Sequence, residues 1–153
     1  MMRKRTKSRE YALQMLYQID LTRADARQTL ETFSARQAVS DDIKVFAAQL
    51  VEGTLRHLEE IDRLIAAHAN NWEIGRMAVV DRNILRLGVY ELLYEADVPP
   101  KVCLNEAVEL AKRFGDEESS KFVNGILDAI HKTHVRRAEP PSDPQAFGVA
   151  QSS

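Results

Sequence analysis

The stretch RMAVVDRNILRLGVYELLYE, from Arg76 to Glu95, decides the fold. Val79, Val80, Ile84, Leu85, Leu87, Val89, Tyr90, Leu92 and Leu93 cover nearly the whole circumference of a helix with about 3.6 residues per turn. A helix that is apolar on most sides has neighbours on most sides, so this segment is expected at the centre of an all-α domain. Gly88 in its middle costs about 1 kcal/mol relative to alanine and predicts a close approach by a neighbouring helix.

Working outward, Ile43, Phe46, Ala47, Leu50, Val51, Thr54, Leu58, Ile61, Ile65 and His68 trace one stripe. They predict a helix or bent pair over 41–69, with Gly53 as a bend or close-packing point and Asn70 and Asn71 at its end. Ser40 stands where an N-cap belongs, and Asp41 and Asp42 suit the positive end of the helix dipole. A shorter helix over 26–36 turns Leu30 and Phe33 inward, and the first helix starts near Lys7 or Ser8 and buries Ala12, Met15, Leu16 and Ile19.

Downstream, Pro99 and Pro100 break the chain. Leu104, Ala107, Val108, Ala111 and Phe114 form the next stripe, which Gly115 closes as a C′ residue. Asp116, Glu117, Glu118 and Ser119 suit the cap and first turn of a last helix with Val123, Ile126, Leu127 and Ile130 inside. The expectation is a compact bundle of about six to seven helices over residues 1–137, with 1–8 as a basic arm. Residues 138–153, rich in proline and without periodicity, read as a disordered tail.

At 153 residues, 44% hydrophobic and 29% charged, the chain suffices for one ordinary core. Cys103 is the lone cysteine, which excludes an intramolecular disulfide and a cysteine-rich zinc site and suits a reducing compartment. No run approaches the ~20 apolar residues of a membrane span, and the basic start lacks the ~7–15-residue apolar segment of a secretory signal. A cytoplasmic protein with no membrane partner is expected. There is no glycine-rich phosphate loop, no G-x-S-x-G elbow and no H-E-x-x-H, so neither an enzyme nor a cofactor is expected. His131 and His134 are three apart on a helix, but without a third ligand nearby they predict no metal site.

Charge distribution says more than net charge, which is −2. Residues 1–10 set Arg3, Lys4, Arg5, Lys7 and Arg9 against Glu10, a net of +4 that leaves −6 for the rest. A cationic end on a mildly acidic body is what a polyanion-binding arm looks like, and equally what a solvated leader looks like. A basic first helical turn opposes the helix dipole, a cost that a binding partner would explain.

Three motifs, VDRNILRLGVYEL, NEAVELAKRFG and KFVNGILD, occur in that order between Val80 and Asp128, behind an N-terminal RKRTKSREYALQMLYQID. Together they resemble the NusB family over residues 3–135. The resemblance implies an all-α fold of two packed helical subdomains and a role in transcription antitermination. It implies three partners: single-stranded boxA RNA, the small-subunit ribosomal protein called NusE, and the RNA polymerase antitermination complex, notably in ribosomal RNA operons. Some family members also pair through the RNA surface, so a homodimer is an expectation as well.

Carried over by position, the RNA surface joins Arg3, Lys4, Arg5, Lys7 and Arg9 to Lys121, Phe122 and Asn124 of the KFVNG motif. Thr6 and Ser8 interrupt what is often a denser arginine run in the family. Lysine and arginine neutralise phosphates, an exposed ring offers a stacking face, and an amide pairs with a base edge. Phe122, four residues before Ile126, reads equally as a core position, and Lys121 and Asn124 as solvated ones. Two other functions remain open at this stage: the RNA-binding domain of an RNA methyltransferase, and a helical dimerisation module that binds no RNA.

Overall fold

In the computed structural model, which describes residues 2–70 and 72–134 and only the backbone of Met2 and Arg3, seven α-helices follow one another. They are α1 (Met2–Thr22), α2 (Ala26–Arg36), α3 (Asp41–Arg56), α4 (Leu58–His68), α5 (Val79–Tyr94), α6 (Pro100–Phe114) and α7 (Glu117–Thr133). A short 3-10 turn, Ile74–Arg76, precedes α5. No strand occurs among the described residues. Asn71 and the segment expected to be a tail lie outside them.

The all-round apolar helix is the centre. α5 packs against α1, α3, α4, α6 and α7, and it buries ten of its sixteen residues. Two layers meet on it: α1 with α2 and α3 on one side, α6 with α7 and α4 on the other. The two predicted close approaches are both real. A Cβ on Gly88 would stand 2.8 Å from a Leu127 methyl, and one on Gly53 would stand 2.2 Å from the Tyr90 ring. The bend between α3 and α4 falls at His57 rather than at Gly53.

Ion pairs between helices reinforce the core. Arg86 grips Asp62 with two hydrogen bonds of 2.8 and 2.9 Å and reaches Asp20 at 3.1 Å. Arg82 and Asn83 each donate to the same Asp20 oxygen at 2.9 Å. Burial pushes the Asp20 carboxyl up, but the bonds from Arg82 and Asn83 and the charges of Arg86 and Arg82 outweigh it, so it is held below the usual carboxylate range.

Three expectations are corrected. α1 begins at Met2 instead of near Lys7, because Asp42 on α3 and Asp97 in the loop before α6 neutralise cations of the basic first turns that would otherwise oppose the dipole. Phe114 is 38% exposed, the buried positions of α6 being Cys103, Ala107, Leu110 and Ala111. Gly115 is not a left-handed C′ residue: its backbone is extended, with φ −102 and ψ −155. Its lack of a side chain matters for space, since a Cβ there would stand 2.5 Å from the Ser119 hydroxyl.

Candidate nucleic-acid interface

The first two turns of α1 carry the cations, and their partners differ sharply in exposure. Lys4 meets Asp42 at 3.2 Å, Arg5 meets Asp97 at 3.4 Å, and Lys7 meets Glu10 at 3.9 Å. The side chains of these three cations are 42–55% exposed. The Arg5 guanidinium also lies 4.2 Å over the Phe46 ring, a cation–π contact. The Lys4–Asp42 and Arg5–Asp97 pairs are exposed on both sides and contribute about 0–1 kcal/mol each, so exchanging their carboxylates for an RNA phosphate costs little. Lys7 instead meets the buried Glu10. The side chain of Arg3 lies outside the described residues.

Arg9 belongs elsewhere. It is 1% exposed, and its Nε donates to the Glu91 carboxylate at 2.8 and 3.0 Å while Nη2 donates at 2.8 Å. Nη1 faces Glu106 at 3.5 Å, and Thr6 donates to Glu106 at 3.0 Å. Burial works against the Arg9 charge, but the bonds to Glu91 and the charges of Glu91 and Glu106 outweigh it and keep the guanidinium firmly protonated. Burial pushes the Glu91 carboxyl up, against the pull of Arg9. The expectation that Arg9 faces RNA is therefore corrected: its charge is spent inside, joining α1 to α5 and α6.

None of the ion pairs made by Lys4, Arg5, Lys7 or Arg9 reaches α7. The link runs through Glu10, which receives both Lys7 and Arg113 at the end of α6. Arg113 is 57% exposed and lies 5.5 Å over the exposed Phe114 ring, three residues before the N-cap of α7. That helix starts with a capping box: Asp116 accepts from the Ser119 N–H at 2.9 Å, and the Ser119 hydroxyl accepts from the Asp116 N–H at 3.1 Å. The Ser119 N–H, and the Ser119 hydroxyl donating to the same carboxylate oxygen at 3.1 Å, hold the exposed Asp116 carboxyl below its ordinary range.

Along α7, Lys121 and Asn124 are exposed and Phe122 is partly buried against the core edge. Phe122 lies six residues past the N-cap, about 9 Å along the axis. Its ring meets Trp72, 5.9 Å between centroids at 69°. Trp72 is 54% exposed and was not picked out from sequence. The signal available was a lone tryptophan beside asparagines and a glutamate, where an apolar ring has little reason to be unless it packs or binds.

Near the other end of α7, His134 accompanies Thr133 at 2.8 Å, and its ring lies 5.4 Å from His68, while His131 is exposed. No group of three or more metal-ligating side chains occurs among the described residues, and no helix among them is long and apolar enough to cross a membrane.

Fold and site together define a class: an all-α bundle whose first helix offers exposed cations and whose last helix offers a half-buried ring between an exposed lysine and an exposed asparagine. Known proteins narrow it. The NusB family is matched over residues 6–132. The transcription antitermination protein NusB of Myxococcus xanthus is 50% identical over 130 residues, spanning 82% of this chain and 93% of that one. Its counterpart in Thermodesulfovibrio yellowstonii is 43% identical, spanning 86% and 94%. Among solved structures, NusB of T. maritima superposes with a TM-score of 0.79 at 42% identity, covering 85% of this chain and 92% of that one. A NusB solved with NusE and double-stranded RNA gives 0.79 at 37%, covering 88% and 100%. The chain belongs to the NusB family.

Proposed function

We propose that this chain is an RNA-binding transcription antitermination factor without catalytic activity, acting in the cytoplasm on RNA polymerase read-through, especially in ribosomal RNA operons. Its RNA is boxA, taken as a single strand, and its protein partner is ribosomal protein NusE. Family membership supports the role, as do the relatives named for antitermination. A neighbour solved with NusE and double-stranded RNA supports NusE and RNA as the partners.

The observation that carries the reading is the exposure of the α1 cations in weak, replaceable ion pairs. Arg3, Lys4, Arg5 and Lys7 bind phosphates, joined by Lys121 on α7. Phe122 stacks on a base and Asn124 reads a base edge. Arg9 serves as a positioning residue that fixes α1 against α5. Residues 1–137 form the single functional unit.

Titration of labelled boxA RNA at several salt concentrations, with and without NusE, tests this. Three to five phosphate contacts at about 0.7 each give a log–log salt slope of about −2 to −3.5. Affinity indifferent to salt and equal for boxA and scrambled RNA would reject the reading.

A further inference from the structure

Trp72 is the chain's only tryptophan, and it stands more than half exposed in the segment between α4 and the 3-10 turn. A large ring so placed leaves apolar surface in water that folding has not removed. Its backbone is held, the N–H donating to the Ala69 carbonyl at 3.2 Å. Its ring is held too, by the edge-on contact with Phe122, an arrangement that aromatic quadrupoles favour. Phe122 in turn rests on the core, and Lys121 and Asn124 flank it in the open. An oriented, anchored and exposed ring beside a cation and an amide has the parts of a single-strand stacking platform.

Resting on the reading above, we infer that Trp72 is a second base-stacking residue, forming with Phe122 a two-ring platform for adjacent bases of single-stranded RNA. The 69° between the rings carries a consequence. Bases lying flat on the two rings are turned against each other by about that angle and cannot remain stacked on one another. The platform therefore takes a splayed strand and refuses a duplex, whose bases stay parallel. Every base has a π-face, so Trp72 adds affinity with little sequence preference.

The lone tryptophan is its own reporter. Titrating the full chain with a short single-stranded boxA RNA is expected to quench its intrinsic fluorescence, with a midpoint equal to that of anisotropy binding on the same RNA. The same sequence annealed to its complement is expected to leave the fluorescence unchanged. Trp72→Leu keeps an apolar contact for Phe122 but no stacking face, and is expected to weaken binding about 5- to 100-fold. Trp72→Phe restores most of that loss, and the melting temperatures of both variants stay within a few degrees of the parent. Salt-dependent binding without quenching, or with Trp72→Leu binding as the parent does, would overturn the inference and leave the proposed function standing. Failure of the parent chain to bind the RNA by anisotropy would overturn both.

Discussion

Arg9 and Lys4 are five residues apart on one helix and face opposite conditions. Lys4 shares an exposed pair with Asp42, while Arg9 is sealed against Glu91 and Glu106. The sealed group is committed. Removing either side of a desolvated pair strands the other, so no phosphate can take it without unfolding the joint between α1, α5 and α6. The exposed groups are free to change partners because water already screens their attraction. A cluster of like charges in sequence is thus divided by depth into one structural cation and several exchangeable ones.

The contrast can be broken most violently at its buried end. Arg9→Ala leaves Glu91 without its partner and is expected to destabilise the fold by about 3–5 kcal/mol in urea denaturation. RNA affinity per folded molecule should change far less than for an exposed cation. A variant as stable as the parent would show that the buried pair contributes nothing.

The second ionic cluster gives an intermediate case. Asp20→Asn loses charge-assisted bonds from Arg82 and Arg86 and is expected to cost about 1–3 kcal/mol at neutral pH. Because the folded state holds the Asp20 carboxyl below its ordinary value, its contribution is complete above the unfolded value near pH 4 and is lost as pH falls through the lower folded one. The gap between parent and variant should therefore narrow in strong acid. Melts from pH 7 down to pH 2 measure it, and a gap that widens with acid contradicts the assignment.

Phe122 lies between the extremes of burial. Its replacement by alanine is expected to weaken RNA binding about 5- to 100-fold and to cost about 1–2 kcal/mol of stability, less than a fully buried ring. A loss of stability equal to that of a core phenylalanine, with RNA affinity intact, would return it to the core. The smallest effects belong to the exposed pairs. Lys4→Gln should alter stability by no more than about 0.5 kcal/mol while making the salt slope of RNA binding shallower by about 0.7. An unchanged slope would remove Lys4 from the interface.

Local pattern made most of the bundle legible. The 3.6-residue period located α2, α5 and α7, and Val123, Ile126, Leu127 and Ile130 are all buried as their spacing requires. Gly53 and Gly88 were marked as contact points because only close neighbours justify a glycine inside a helix. The site was half legible. Motif resemblance pointed to Lys121, Phe122 and Asn124, but it could not sort the cations, since Arg9 meets Glu91 across 82 residues of chain. The start of α1 was missed for the same reason: its dipole penalty is offset by Asp42 and Asp97, which no local window contains. Trp72 was missed because it belongs to no periodic segment, and its meaning comes from Phe122, fifty residues on.

By itself, then, the order of residues determined the helices, the central one among them, the family and the cationic character of the N-terminus, because period, capping and composition act over a few turns. Tertiary structure alone decided which cation is withdrawn and which ring stands beside which. Depth from solvent and ring-to-ring angle exist only once distant helices have packed.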